Sequence, residues 1–517
     1  MTNADPGQAT AGDEVSDDEP REPADAAAGR RWRTAWRIHF YAGVFALPFV
    51  ALMAITGLVI LYTQPIQDWT EGDLRKVDVG SETVAYEEQV AAVEKAYPNA
   101  SVVSLTTPRE PDRSTIVGLE GTAQHTAGNE AFVDPYTGEV LGTSESGGAI
   151  VGLANRLHGF LNIESVTVDL PTIAALWDDE PVMREYVVFD LVLELLGIWT
   201  LVLVFSGLFL WWPRKARDRA KGTAKGTGSF LTIRRGVSGR ARVRDLHGLS
   251  GVLLISLVVL TVMSGLAWST YWGSNFASLA DTVTPGDPVA APPSELGTRG
   301  DLDRFGNQLT WNTGDDPIPA SYAAAEDGSV PAPMRLDKVV DIAEDEGMKP
   351  GFSVFLPTNV TAGDGETTYG AFTVSNSWPR KTGEARDLYL DQFTGKTLDE
   401  QDAYGLGPIG YGMDAMVSTH MGTQLGLFSR LLMTALCVLA LFSVGSALTM
   451  FRKRRRPGTL GLPRRPADVT LPKKVAAVGI VSGIVFPQWG ITALAVLAVD
   501  RWVIRRVPRL RTAFGQR

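Results

Sequence analysis

Four long stretches of this chain carry almost no charge, and that restricts its fold more than any other feature. Ile38 to Gln64, Leu246 to Tyr271 and Leu431 to Phe451 contain no Asp, Glu, Lys or Arg, and Tyr186 to Trp212 contains only Asp190 and Glu194. A helix needs roughly 20 apolar residues to cross about 30 Å of hydrocarbon, so every one of these stretches is long enough. A cleaved leader describes the first one poorly, because it is long, follows an acidic segment and precedes no small-residue cleavage site. The expectation is an α-helical polytopic membrane protein in a lipid bilayer.

The net charge of −10 says little by itself, because acidic and basic residues are separated along the chain. Arg30, Arg31, Arg33 and Arg37 precede the first span, Arg214 to Arg244 hold a dense basic run, and Arg452 to Arg456 follow the fourth span. The positive-inside rule puts these segments, and the N-terminus, in the cytoplasm. The two long acidic connections then lie outside, and no nucleic-acid partner is expected. One cysteine, Cys437, excludes an intrachain disulfide. The first residues are Asp, Glu, Ala and Pro, a composition too poor in large apolar side chains to bury a core.

The chain also repeats itself, as large membrane proteins often do. His39 precedes Thr56-Gly57 as His247 precedes Ser264-Gly265, with a histidine-to-hydroxyl spacing of 17 in both cases. Phe132-Val-Asp-Pro-Tyr-Thr-Gly138 matches Tyr389-Leu-Asp-Gln-Phe-Thr-Gly395, each reading as a β-hairpin after a helix-like segment, Tyr86 to Tyr97 or Leu336 to Asp345. His158 and His420 then follow in equivalent positions, ahead of a span that ends in a basic block. The unit is span, α+β domain, histidine, span, and two spans per unit give both copies the same orientation.

With these residues on the page, the chain resembles the PepSY-associated transmembrane proteins, a family that includes iron-regulated membrane proteins and inner-membrane ferrisiderophore reductases. The resemblance covers about residues 30 to 510. Its carriers are Ile38-His39 with Thr56-Gly57, Leu157-His158, the segment from Glu194 to Trp212-Pro-Arg214, Leu246-His247-Gly248 with Ser264-Gly265, and His420-Met-Gly-Thr-Gln-Leu-Gly426 before Arg430. The two Asp-x-x-Thr-Gly hairpins match the PepSY domain. Such membership implies an integral-membrane oxidoreductase with b-type haem, passing electrons to ferric iron chelates outside the cytoplasm.

Four of the five histidines fall at or near span ends in this pattern. An imidazole within hydrocarbon is unfavourable unless it faces a partner, which makes it a functional candidate. A six-coordinate haem b needs two axial donors at one height, so His39 would pair with His247 on the cytoplasmic side, and His158 with His420 outside. These four are the candidate ligands of the haem iron, for two haems. The alternative is that His39 and His247 snorkel to the headgroups. His158 precedes its span by about 28 residues. His125 reads as a solvated loop residue. Met413, Met416 and Met421 near His420 admit a soft-metal site, though packing explains them equally well.

Asp190 and Glu194 share one helix face. Glu194 lies about two turns inside the second span, and Arg430 opens the fourth on the same side. Either these three are catalytic, accepting protons or neighbouring a propionate, or the carboxylates bond to an adjacent helix. The glycine-rich Lys221 to Gly228 lacks a preceding strand and the nucleotide fingerprint. Electrons would then come from a separate cytoplasmic reductase or from membrane quinol. Val475 to Val499 is broken by Phe486-Pro-Gln-Trp-Gly490, and the positive-inside rule favours a hairpin over a fifth span.

The expected organisation is a disordered tail at 1–29, a first span at 30–65, a first external domain at 66–185 and a second span at 186–213. A basic loop at 214–245, a third span at 246–273, a second external domain at 274–426 and a fourth span at 427–451 follow. A basic loop at 452–474 and the C-terminal hairpin or fifth span at 475–517 complete the chain. The expected function is a haem b reductase of the cell membrane (inner or plasma) acting on ferric chelates, with a ferric chelate docked between the two external domains. The alternatives are a non-enzymatic PepSY protein that binds peptides or regulates proteases, and an iron-chelate transporter.

Overall fold

A computed structural model describes residues 24–121, 129–145, 147–161, 163, 165–172, 183–220, 233, 238–284, 296–298, 317–322, 330–363, 365–376, 380–455, 457–463, 465 and 473–515. The side chains of 24–28, 160, 212–220, 281 and 473–475 are excepted. His125, the acidic residues 1–23 and the Lys221 to Gly228 run lie outside the described residues.

Among the described residues four helices are long and apolar enough to cross a membrane: Ala24–Leu61, Val188–Ala220, Gly239–Ala267 and Leu427–Arg454. Charge marks where the hydrocarbon ends but does not stop a helix, whose backbone bonds continue into water. The second helix therefore runs seven residues past 213, and the third begins seven residues before 246. For the same reason Ala24–Leu61 starts inside the stretch expected to be a disordered tail, where Ala24, Ala26, Ala27 and Ala28 favour helix.

The third span departs from expectation more sharply. Its helix stops at Ala267, and a second helix, Thr270–Val283, starts after Ser269. Gly273 packs against the break, where a Cβ would stand 2.3 Å from the Ala267 carbonyl oxygen. Only a residue without a side chain lets the two helices fold together there.

The described residues include twelve strands: β1 Ser101–Thr106, β2 Thr115–Glu120, β3 Glu130–Val133, β4 Val140–Ser144, β5 Thr167–Pro171, β6 Met183–Val187, β7 Ala320–Ser321, β8 Ser353–Phe355, β9 Val360–Thr361, β10 Thr367–Ser375, β11 Arg386–Asp391 and β12 Thr397–Asp402. β5 and β6 form a separate hairpin, while the other ten make one sheet in the order β12-β11-β10-β8-β1-β2-β3-β4, with β7 and β9 on β10. The two expected external domains are thus fused and not separate. The seam is β1 against β8, with Leu105 opposite Val354 and Thr106 opposite Ser353. An open edge on either half would expose unpaired backbone groups, and joining the two edges satisfies both.

Helices Tyr86–Ala96 and Leu336–Asp345 cover one face of this sheet, and Val93, Leu105, Val117, Val339, Val354 and Leu388 share one core. The two Asp-x-x-Thr-Gly turns are alike in detail. Asp134 Oδ1 accepts the Tyr136 and Thr137 N–H groups, and Asp391 Oδ1 those of Phe393 and Thr394. Gly138 at φ 71° and Gly395 at φ 70° take the left-handed position that favours glycine.

At the C-terminus, helices Lys473–Val485 and Pro487–Val499 turn at Phe486, and Gly483 meets Gly490 across the turn. Both arms end on the basic side of the bundle. The Arg37 guanidinium donates to the Pro463 and Phe514 carbonyls, and Arg465 pairs with Asp500. The hairpin tip reaches Glu194, whose Oε2 accepts Gln488 Nε2 at 2.8 Å.

Because the halves share a sheet and a core, they should unfold together. Leu105→Ala at the seam should cost about 2–5 kcal/mol. Thermal unfolding of the detergent-solubilised variant should show both halves losing protection from proteolysis in a single, lower transition. Separate transitions would contradict a shared core.

Candidate functional site

Each of the four patterned histidines has its Nδ1 fixed by a neighbouring helix. His39 Nδ1 lies 3.0 Å from the Leu203 carbonyl and 3.1 Å from Ser206 Oγ on the second span. His247 Nδ1 lies 2.9 Å from Ser446 Oγ on the fourth. His158 sits near the end of a short helix, Ala149–Phe160, with Nδ1 2.8 Å from Thr56 Oγ1, and His420 ends another, Gly407–His420, with Nδ1 2.9 Å from Ser264 Oγ.

These bonds determine the tautomer. A carbonyl can only accept, so His39 Nδ1 carries the proton. The hydroxyls of Thr56, Ser206, Ser264 and Ser446 each donate to a carbonyl three or four residues back on their own helix, namely Leu52, Leu203, Thr261 and Ser443. Their free role toward the imidazole is as acceptor. The His39 proton is on Nδ1, the other three rings take the same tautomer when the hydroxyl gives its hydrogen to its own helix, and no hydrogen bond to Nε2 is present among the described residues. That is the arrangement of a metal-ligating imidazole oriented by its second nitrogen.

The rings also pair. His39 and His247 have centroids 6.4 Å apart, and His158 and His420 6.1 Å. A metal between two imidazoles, with bonds of about 2 Å to each nitrogen, separates the ring centroids by about 6 Å once the ring radii are added. Thr56 lies 17 residues from His39 along the first span, about 25 Å of helix, so the pairs occupy two levels.

One cavity of about 2330 Å³ contains both levels. Ligand pockets usually enclose about 300–1,000 Å³, so this one has room for two large groups. Small residues shape it. A Cβ on Gly207 would approach His39 Cε1 to 3.0 Å, and one on Gly248 would strike the Trp211 ring at 2.2 Å. Gly251 and Gly265 line the cavity with nothing within 4 Å of a Cβ position, leaving flat backbone against open space. Cys437 is buried beside Gly57. Among the described residues no group of three or more His, Cys, Asp or Glu could hold a bare metal ion.

Asp190 and Glu194 are nearly fully buried and lie at the break in the third span. Asp190 accepts the Thr270 N–H, and Glu194 Oε1 accepts those of Tyr271 at 3.0 Å and Trp272 at 2.9 Å. They satisfy the first donors of helix Thr270–Val283, which has no side-chain cap of its own. Arg430 lines the cavity near Gly422 and makes no ion pair with either carboxylate among the described residues. The structure therefore brings the histidines together in pairs and gathers Asp190 and Glu194, with Arg430 apart from them.

The model of the PepSY-associated transmembrane region matches residues 36–454. The chain belongs to this family. No curated protein matches it. The residues fit the haem b expected from the sequence: paired imidazoles, backbone-lined space between helices, and a cavity of sufficient volume. The short helices carrying His158 and His420 and the acceptors Ser206 and Ser446 were not legible as such. A lone hydroxyl inside an apolar helix is the signal that could have flagged Ser206 and Ser446.

Losing an acceptor strands a buried Nδ1–H at a cost of about 1–3 kcal/mol. Thr56→Val should lower the unfolding temperature, whereas Thr56→Ser, which retains the hydroxyl, should lie close to wild type. Equal behaviour of the two variants would reject the bond.

Proposed function

We propose that this protein is a transmembrane reductase with two haem b groups, passing electrons from a cytoplasmic reductase or membrane quinol to ferric chelates outside the cell membrane. The observation that carries this reading is the pair of facing imidazole couples, each with an open Nε2, at two levels of one cavity. In the same reading the basic flanks face the cytoplasm, the sheet lies outside, and the two halves are copies of one ancestral unit.

His39 and His247 would hold one group on the basic side, and His158 and His420 the other beneath the sheet. Bound there, haem would supply a one-electron carrier at each level, its potential set by the surrounding residues. The protein's contribution is structural and electrostatic. Thr56, Ser206, Ser264 and Ser446 keep the tautomer, and the apolar walls exclude water. Arg430 supplies positive charge on the sheet side of the cavity. Asp190 and Glu194 act as positioning residues that hold helix Thr270–Val283 against the bundle.

Purified full-length protein should show a reducible b-type spectrum with two haems per chain. His39→Ala or His247→Ala should remove one haem and leave the other, and His158→Ala or His420→Ala the converse. A chain that folds without any b-type band would end the proposal.

Glu194 gives a separate test. Glu194→Gln keeps an acceptor for the Tyr271 and Trp272 N–H groups and should preserve folding and haem reduction. Glu194→Leu should destabilise by about 1–3 kcal/mol. Lost electron transfer in a fully folded Glu194→Gln protein would instead make the carboxylate a proton carrier.

A further inference from the structure

The cavity continues past the His39 and His247 pair to the basic end of the bundle, where its walls change character. On helix Gly239–Ala267, Arg240, Arg244, His247 and Gly251 recur every three or four residues and all line it, so they share one face. On helix Leu427–Arg454, Ala447, Met450 and Arg454 do the same. Ser250 meets Ser443 and His247 meets Ser446, an antiparallel register that carries Arg454 level with the start of the third-span helix, beside Arg240. Arg240 precedes His247 by seven residues, about 10 Å of helix. Trp36, one turn before His39 on the first span, lines the same end.

Arg454 is held in place there. Its guanidinium carbon lies 4.3 Å from the centroid of the Trp36 ring, and its stem packs against Gly461, where a Cβ would come within 3.0 Å of Cγ. Stacking on the indole fixes the plane of the fork and leaves its N–H edge free. The other charged residues lining this end, among those described, are already matched. Arg244 pairs with Asp245 at 3.2 Å, and Asp500 pairs with Arg465 and Arg505. Arg240, at the exposed rim, and the half-buried Arg454 have no acidic partner among the described residues, and the charge that acts on Arg454 is that of Arg240, of the same sign. Basic residues that serve only the membrane surface behave differently: Arg242, Arg452 and Lys453 are exposed, and none of them lines the cavity.

We infer that Arg454 and Arg240 clamp the two carboxylates of the haem held by His39 and His247, so that the propionate edge of this group faces the basic end of the cavity. The inference rests on the reductase reading for the presence of haem and adds its orientation and its anchoring residues. A guanidinium fork pairs with a carboxylate through two parallel N–H bonds. Two carboxylates between two guanidiniums relieve a like-charge repulsion and leave no unpaired charge at the edge of the hydrocarbon. The apolar edge of the ring then points toward the apolar stretch of the cavity at Val50 and Leu254.

The test compares haem with haem dimethyl ester, which has the same ring but no carboxylates. It uses full-length His158→Ala protein made without haem, in which only the basic-side pair is intact. Haem should bind about tenfold or more tightly than the ester in an absorbance titration. With Arg454→Gln and Arg240→Gln added, haem should fall to the affinity of the ester, whose own affinity stays unchanged, while Arg452→Gln should alter neither. Equal binding of haem and ester, the result expected if the two arginines serve lipid phosphates, would overturn the inference and leave the reductase reading standing. So would a preference for haem that survives the double variant. Uptake of neither by the folded wild-type chain would instead remove the reductase reading, and the clamp with it. A second readout keeps both histidine pairs. In a redox titration, Arg454→Gln should lower the midpoint potential of one haem component, because lost positive charge disfavours the reduced form, and leave the other in place. Two unchanged potentials in the folded, haem-loaded variant would also reject the clamp.

Discussion

Burying an imidazole among apolar helices requires a partner for the ring nitrogen that does not face the cavity, and the arrangement of the bundle follows from how that requirement is met. Each Nδ1 proton is received by an oxygen on a different element: the second span for His39, the fourth for His247, the first for His158 and the third for His420. The four bonds therefore tie the first span to the second and to the His158 helix, and the third span to the fourth and to the His420 helix. Their second consequence is chemical. A hydroxyl that gives its own proton to its helix backbone can only accept, and a ring bonded to it then presents a lone pair inward, as His39 does through the Leu203 carbonyl. The constraint that lets the rings lie among apolar helices also turns the other nitrogen of each toward the cavity.

The sheet is the other half of the construction. Its two halves meet edge to edge at β1 and β8, which removes two exposed edges and roofs the cavity over the His158 and His420 pair. Buried ties connect roof and floor. Arg380 pairs with Asp414 on the His420 helix at 3.2 Å, and the Thr382 hydroxyl meets that of Ser418 at 3.1 Å. A buried ion pair of this kind contributes little net stability compared with apolar packing, but removing one partner is costly. It fixes the position of the His420 helix relative to the sheet.

Much of this was legible in the sequence where a local pattern carries the information. Uncharged length identifies four membrane-crossing helices, and repeated spacing places His39 beside His247 and His158 beside His420, as the structure arranges them. The Asp-x-x-Thr-Gly turns are visible because their geometry depends on neighbours a few residues away. The fused sheet was not visible, since the pairing of Leu105 with Val354 joins residues far apart and leaves no local trace. The short helix of His158 was hidden for a related reason: Ala149–Phe160 is too brief to read as a span, and its depth is set by Thr56 on another helix.

The C-terminal hairpin follows from a sequence of local demands. The third span breaks at Trp268 and Ser269, so the N–H groups of Thr270, Tyr271 and Trp272 lose the partners that a continuous helix would provide. Asp190 and Glu194 on the second span accept them, and the positive end of the helix favours their charge. A carboxylate at that depth still needs its outer oxygen covered. Gln488 at the hairpin turn covers it, while Trp272 stacks on Phe486 at 5.4 Å and the Trp199 indole donates to Thr492. A half-length hairpin suits this task because its turn, where Pro487 ends one helix and starts the next, brings a polar side chain to the level of Glu194. A continuous helix through the same residues would carry Gln488 past that level and take Asp500 away from Arg465.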